Sequence, residues 1–467
     1  MRAPTYIRIL VVFALAAAIA GCGMVATKTG FYRPVTQDLS AGNYKLAASK
    51  FEEVKGKFDS KDRFLYYVDS GALNHYAENF DSSNARLTLA ESAAEDLFTK
   101  SISRAAASMV LNDNVLEYSG EDYEILYTNL IKALNYLSLN KFDDAFVEIR
   151  RADLKLDLLE QKYLGAAAIL QQGETQDSTD SKIEYVPDKV RFSNDAFARY
   201  LSMHLYAADG KFDDARIDYD AFKNAFAAQP DIYNFEMPPV FYQSDSNAVL
   251  SVVGLVGLAP VKEALNLRIR TDKDLEQIQI LYTDGKEMDT QFGILPFPVK
   301  ADYYFKFAIP RLIVRPSPIA RIQVSSGSQT VGELHLLEDV SRVAEETFKA
   351  KRSLIYLRSV ARAVAKGLTT HQMKKKVDTG GVEGWLKKAA IDVGSDISEN
   401  ADLRCSHFLP GKIYVGDFEI KPGTYDLTID FIDVTGHVIE TQEVLRYQVK
   451  PGKFNLVDLF SISMPAN

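Results

Sequence analysis

Hydrophobic residues in the first half of the chain recur at helical spacing, and the pattern repeats. Four stretches share an aromatic residue, a small residue at +3, a bulky residue at +7 and an apolar residue at +10, and they begin at Tyr44, Phe80, Phe142 and Phe212. The first two are 36 residues apart and the last two are 70 apart. Tetratricopeptide repeats have a period of about 34 residues. The pattern therefore predicts a solenoid of stacked helical hairpins with a concave groove over residues 22–230.

The first helix of each hairpin should carry an aromatic residue six positions before the shared one. Tyr136 and Tyr206 meet this expectation in the last two units, but the first two units lack it. Chance helical amphipathicity is the alternative for any one unit and for the four in register. We expect Tyr136 and Tyr206 to line a groove for a partner, together with Glu148, Arg150 and Arg151. Alternatively, these charged residues form a solvated helix face.

From about residue 231 the hydrophobic period changes from 3.6 to 2, which is typical of strands. The strand-like runs are Leu250–Val256, Ala264–Arg270, Leu275–Tyr282, Tyr303–Ile309, Ala320–Ser325, Thr330–Leu336, Ile413–Ile420, Thr424–Asp433, His437–Val449 and Phe454–Leu459. Short strands with regular turns predict an antiparallel β-sandwich over residues 231–467. The predicted fold class is thus α+β multidomain: a tetratricopeptide-like solenoid, then a sandwich with a helical insertion at about 338–400.

The insertion is strongly basic. Between Arg342 and Lys388, 12 Lys or Arg residues stand against four acidic residues. This charge could neutralise the acidic repeats, face lipid headgroups, or bind an anionic polymer or a partner protein. The candidate contacts for an anionic surface are Arg342, Lys349, Arg352, Lys366, Lys374, Lys375 and Lys376.

The N-terminus resembles a bacterial lipoprotein signal. The apolar run Ile9–Ala20 has 12 residues, too few for a spanning helix, and fits an export signal over residues 1–21. It ends at Cys22, which we expect to be lipid-modified, because two or three acyl chains anchor a protein stably. Gly23 after the cysteine favours the outer membrane, with the body in the periplasm. An ordinary secretory signal with Cys22 present by chance is the alternative.

Composition and motifs exclude several classes of protein and several kinds of site. The chain is 47% hydrophobic and 25% charged, with a formal net charge of −9, so it is globular and unlike a basic nucleic-acid-binding protein. Its two cysteines exclude a disulfide scaffold or a Cys-rich zinc module. The six histidines lack the spacing of a catalytic zinc site, and neither a nucleophile elbow nor a phosphate loop occurs. We expect no cofactor, no metal and no enzyme activity. Cys405 could be a reactive thiol or a buried small side chain.

Several segments resemble an uncharacterised family of tetratricopeptide-repeat-containing bacterial outer-membrane lipoproteins. They are Lys141–Asp153, Gly257–Lys262, Ala401–Pro410 and Pro422–Tyr425, with Tyr118, Gly120 and Glu121 ahead of the third repeat. The resemblance runs over nearly the whole mature chain, although Ser406 replaces a residue that is often aromatic. It implies an envelope location and a helical-repeat plus β architecture, without an assigned reaction.

Two functions fit these observations. The leading hypothesis is a lipid-anchored envelope scaffold whose repeat groove binds a protein or peptide partner. The alternative is a binding module for lipid headgroups or a cell-wall polymer through the basic insertion. An enzyme with an unrecognised site is a third possibility. The sequence identifies neither the partner nor the oligomeric state.

Overall fold

The computed structural model describes residues 26–108, 116–172, 192–244, 247–272, 274–275, 277–283, 289–296, 304–349, 352 and 401–464. The helices are α1 (Thr29–Ser40), α2 (Tyr44–Glu53), α3 (Arg63–Tyr76), α4 (Phe80–Ser108), α5 (Asp122–Ser138), α6 (Phe142–Gln172), α7 (Ala196–Ala208), α8 (Phe212–Ala228) and α9 (340–349). The strands are β1 (Ala248–Leu258), β2 (Val261–Asp272), β3 (Gln277–Thr283), β4 (Asp289–Pro296), β5 (Tyr304–Ile313), β6 (Ile319–Ser326), β7 (Gln329–Asp339), β8 (Pro410–Ile420), β9 (Gly423–Asp433), β10 (Val438–Val449) and β11 (Asn455–Ser461).

The helices of the first half form hairpins that share one turn geometry. Two positions before each shared aromatic, one residue adopts a left-handed backbone conformation; these residues are Gly42, Glu78, Asn140 and Gly210. The next residue donates its backbone N–H to the carbonyl five residues earlier, as Lys141 does to Tyr136 at 2.8 Å and Lys211 to Tyr206 at 2.9 Å. This arrangement satisfies carbonyls left free at a helix end. The sequence repeat therefore reflects four copies of one hairpin turn.

The inner helices α3, α5 and α7 lie between outer helices and a β-sheet. Each packs against the helix that follows it, and α5 also contacts β11 while α7 contacts β7. Their side chains join those of the strands in one hydrophobic core, to which Leu130 and Phe197 contribute from the helices and Val253, Leu255 and Phe460 from the strands. The helical layer is therefore packed onto the outer face of the sheet.

The larger sheet has seven strands in the order β10-β9-β6-β7-β8-β1-β11. Neighbouring strands are antiparallel except β1 and β11, which are parallel. The whole length of β1 is buried. One face, with Val253 and Leu255, packs against the helices, and the other, with Leu250, Val252 and Val256, lines a second core inside the curled sheet. A strand buried on both faces is largely apolar, as this one is apart from Ser251.

The curl brings the two edge strands of this sheet close together. Gln442 Nε2 donates to the Phe460 carbonyl at 2.6 Å, and the Tyr447 hydroxyl donates to the Leu456 carbonyl at 2.9 Å. Side chains thus join β10 to β11 where no backbone ladder connects them, and the sheet nearly closes. A second, antiparallel sheet has the order β4-β3-β2-β5.

The predicted tetratricopeptide-like solenoid is wrong. A regular solenoid needs helices of similar length in each unit, but α2 has 10 residues while α4 has 29 and α6 has 31. The helices do not form a continuous series of equivalent repeats, and the side on which a concave groove was expected is occupied by the sheet and by residues 401–409. Hairpins of one turn type can recur without equal helices, which is why periodicity alone misled.

The predicted antiparallel sandwich is also wrong. All ten predicted runs overlap strands, and of the strands in the described residues only β4 lies outside them. Their assembly differs, because β11 returns beside β1 in parallel and one sheet encloses its own core. The insertion begins with α9, and residues 353–400, which include most of it, lie outside the described residues.

Candidate functional site

A group of buried polar side chains lies where residues 401–409 contact the inner helices. Asp69 of α3 accepts hydrogen bonds at Oδ1 from Ser406 Oγ at 2.6 Å and from the backbone N–H groups of His407 at 2.9 Å and Phe408 at 3.3 Å. Burial raises the pKa of Asp69 to about 8 despite these donors. Asp69 therefore holds a proton through most of the neutral range.

A second buried carboxyl, Glu124, lies in the first turn of α5. It accepts hydrogen bonds from the Tyr118 hydroxyl at 2.7 Å, the Glu121 N–H at 2.9 Å and the Ser406 N–H at 2.5 Å. Burial, with Glu121 nearby, raises its pKa above the usual range. The Glu124 side chain thus caps the N-terminus of α5, through the Glu121 N–H, and also binds residues 401–409, through the Ser406 N–H.

Buried ion pairs surround these carboxyl groups. Arg404 contacts Asp62 at 2.9 Å and Asp402 at 2.8 Å, and Lys262 of β2 contacts Glu121 at 2.5 Å. Removing one partner of such a pair leaves an uncompensated buried charge, which costs about 3–5 kcal/mol. These pairs join the helices, β2 and residues 401–409 into one structure.

The nucleophile candidate in this region is not suited to catalysis. The Cys405 thiol is fully buried, accepts a hydrogen bond from the Lys262 N–H at 3.3 Å, and has a pKa raised by burial to about 12. His407 stacks on Tyr32 with ring centroids 3.6 Å apart, and burial lowers its pKa well below the usual value. Of the two interpretations of Cys405, the buried small side chain fits and the reactive thiol does not.

Two histidine–carboxylate contacts also connect helices to strands. His75 Nε2 of α3 lies 3.3 Å from Asp458 of β11, and His204 Nε2 of α7 lies 3.2 Å from Asp417 of β8. Burial raises the pKa of Asp458 to about 6. The interface between the inner helices and the sheet therefore contains titratable groups in several places.

Two of the predicted groove residues, Glu148 and Arg151, belong to an ion cluster between α4, α5 and α6. Lys132 Nζ lies 3.0 Å from Glu91 and 2.9 Å from Glu148, and Arg151 lies 3.0 Å from Glu91. Burial opposes ionisation of Glu91, but Lys155 and the neighbouring donors outweigh it and lower its pKa to about 2. Glu148 is therefore buried in a contact between helices, whereas Arg151 pairs with Glu91 and keeps half of its side chain exposed.

Arg150 and Tyr206 come together on the protein surface. Arg150 lies over the Phe146 ring at 5.9 Å and contacts the Tyr206 hydroxyl at 3.5 Å, and the Phe146 and Tyr206 rings are 4.8 Å apart. Tyr136, the fifth predicted groove residue, is half-buried and packs against the helical core.

Two exposed apolar residues are near members of this cluster along the chain. Val147 is 48% exposed, and Phe212, which begins α8 just after the turn from Tyr206, is 53% exposed. We call Phe146, Val147, Arg150, Tyr206 and Phe212 the partner patch. The sequence pattern did not point to Phe146 or Val147, and it identified Phe212 only as the aromatic residue of the fourth stretch. Its equivalents Tyr44, Phe80 and Phe142 are half-buried; the position of Phe212 in the last unit was the available signal.

The described part of the basic insertion contains short-range ion pairs. Arg342 lies 3.7 Å from Asp339, and Lys349 lies 2.7 Å from Glu346. Arg352 is half-buried. The other candidate contacts, Lys366, Lys374, Lys375 and Lys376, lie outside the described residues, as does Cys22. The roles assigned to these residues stay predictions.

Neither a metal site nor a membrane-spanning helix is found in the part of the chain that the structure describes. Among the residues that the structure describes, no group of three or more His, Cys, Asp or Glu side chains could hold a metal ion. In the same part of the chain, no helix combines the length and apolar character needed to cross a membrane. No family model matches the chain, and no curated protein or solved structure matches it.

Proposed function

We propose that this protein is a non-enzymatic adaptor, anchored to the outer membrane through a lipid on Cys22, which binds an envelope protein or peptide through the partner patch. The observation that carries the proposal is the surface cluster in which the exposed Arg150 lies beside the half-buried rings of Phe146 and Tyr206. Aromatic residues and arginine are the side chains that most often dominate the free energy of binding at protein interfaces.

The chemistry of the patch defines the partner. Arg150 is exposed, and its guanidinium contacts a tyrosine hydroxyl and an aromatic ring. It can therefore donate hydrogen bonds to an acidic side chain of a partner. Val147 and Phe212 offer apolar surface beside it. A segment with one carboxylate flanked by apolar side chains fits this arrangement.

The inner face of the helices does not serve this function in our proposal. Its polar groups already bind other parts of the same chain: Asp69 binds residues 406–408, and Asp417 of β8 accepts hydrogen bonds from Tyr200 at 2.7 Å and Ser251 at 2.7 Å. A partner could reach them only by displacing the sheet. The outer surface is accessible without that cost.

The test is photo-crosslinking in cells, with a photoreactive amino acid at Val147 and, as a control, at the exposed Lys453 on the sheet side. We expect one crosslinked protein from Val147 and not from Lys453. Arg150→Glu should reduce the yield at Val147 by at least tenfold, because hot-spot residues contribute about 2 kcal/mol or more. The matched control Lys421→Glu should not. Equal products from both positions, or a yield unchanged by Arg150→Glu, would contradict the proposal.

A further inference from the structure

A cluster of lysine and aromatic side chains lies beside the first described residues. Lys57 Nζ lies 5.7 Å from the Phe31 ring centroid, and Lys55 Nζ lies 5.7 Å from the Tyr67 ring. The Phe31 and Phe58 rings are 5.8 Å apart, which joins α1 to the segment after α2. With the exposed Lys28 one turn before Phe31, these residues form what we call the anchor-side patch: Lys28, Phe31, Lys55, Lys57, Phe58 and Tyr67.

This patch is locally positive on an acidic protein. Residues 26–61 contain seven Lys or Arg residues and four Asp or Glu residues, whereas the whole chain has a net charge of −9. Lys28, Lys55 and Lys57 are exposed, and no ion pair neutralises them within the part of the chain that the structure describes. Their charge is therefore available to an anionic surface.

The predicted lipid attachment point lies close to this patch. Cys22 precedes Ala26 by four residues, which can span at most about 14 Å. Ala26 is buried, and its carbonyl accepts a hydrogen bond from the Tyr32 hydroxyl at 3.3 Å. A lipid on Cys22 therefore holds the surface around α1 near the bilayer whatever path those four residues take.

We infer that the anchor-side patch lies against the phospholipid headgroups of the membrane that holds the lipid. The inference rests on the proposed anchoring at Cys22. The lysines face headgroup phosphates, and the half-buried rings of Phe31, Phe58 and Tyr67 lie at the level where aromatic side chains are favoured. A lipid anchor with a basic surface is the kind of two-part signal that holds a protein firmly on a membrane.

This contact also orients the protein. Successive helices contact each other from α1 to α8, so α1 and α2 lie at one end of the helical layer and α7 and α8 at the other. The anchor-side patch belongs to the first end, and the partner patch, with Tyr206 and Phe212, lies toward the second. Contact through the first end leaves the partner patch directed away from the bilayer.

The test uses the mature chain with Cys22→Ser, so that no lipid contributes to binding. Flotation with phosphatidylglycerol-containing vesicles is measured at low salt for this protein, for Lys28→Gln/Lys55→Gln/Lys57→Gln, and for the control Lys421→Gln/Lys450→Gln/Lys453→Gln. Each lysine near an anionic surface contributes about 1 kcal/mol, or about fivefold in affinity. We expect the first triple variant to bind about a hundredfold more weakly and the control to bind as the parent does.

Three results would overturn the inference: no binding by the parent protein, equal losses in the two triple variants, or equal binding to phosphatidylcholine vesicles. Thermal melts of all three proteins establish that the substitutions leave the fold intact. Acyl-chain labelling at Cys22 in the unchanged protein is measured separately. Failure of labelling would contradict the anchor, and failure of vesicle binding would contradict the patch, so the two outcomes are distinct.

Discussion

Helices α5 and α8 have the same length and opposite surroundings. Each has 17 residues, but 14 are buried in α5 and only four in α8. Other helices cover one side of α5, and β11 and residues 401–409 cover the other. In α8, by contrast, the polar residues Arg216, Asp220 and Lys223 are in solvent. Polar residues of α8, apart from the buried Asp218, therefore mark a solvated face, whereas most of those of α5 belong to a buried network.

The largest change in stability is expected when two lysines in ion pairs, one in α5 and one in α8, are compared. Lys132→Met in α5 leaves Glu91 and Glu148 buried with less compensating charge, so we expect the free energy of unfolding to fall by about 3 kcal/mol. Lys223→Met in α8 removes an exposed pair with Asp220 at 2.7 Å and should leave stability unchanged, since such pairs contribute little. Chemical denaturation measures both variants. Equal effects would remove the distinction between the two helices.

The effect of pH is smaller for each pH unit. The ordinary pKa of an aspartate in the unfolded chain is near 3.8, and burial raises the pKa of Asp69 in the folded protein to about 8. Between these values the folded state holds a proton that the unfolded state has released. Stability therefore falls as pH rises from about 4 to about 8, by at most about 1.4 kcal/mol per pH unit for this group. Asp69→Asn keeps a neutral acceptor at Oδ1 and should flatten the dependence.

The control for this experiment is Asp220→Asn in α8. The pKa of Asp220 is lowered by its hydrogen bond from Lys223, so it is ionised in both states above pH 5 and contributes no slope there. Asp195 and Asp458, with pKa values raised by burial to about 7 and about 6, should leave a residual slope in Asp69→Asn. A slope identical in the parent and in Asp69→Asn would mean that Asp69 is ionised in the folded protein.

Much of the secondary structure could be predicted from the sequence, because local patterns determine it. The hairpin turns recur two residues before each shared aromatic, and the alternating strands are where periodicity predicted them. The assembly was not predictable in this way. Nothing local in β11 specifies a parallel partner, and the largely apolar sequence of β1 was the indication that a strand is covered on both faces.

The candidate site was less predictable than the elements. Arg150 and Glu148 are two residues apart in one helix, yet Arg150 is exposed and Glu148 pairs with Lys132 in a buried cluster. Which charge is buried depends on the residues that the neighbouring helices place opposite it, and periodicity does not record those. The exposure of Phe212 follows similarly from its position in the last helix of the layer.

The central claim is that the helices and the sheet form one cooperative structure with a buried interface. Native-state hydrogen exchange tests it most directly, by comparing amides of Leu130 in α5 and Val252 in β1 with those of α8. We predict that Leu130 and Val252 exchange only through global unfolding, with the same free energy, and that α8 exchanges through smaller openings. Exchange of Leu130 at a free energy clearly below that of Val252, as in a solenoid that unfolds independently of the sheet, would contradict the account.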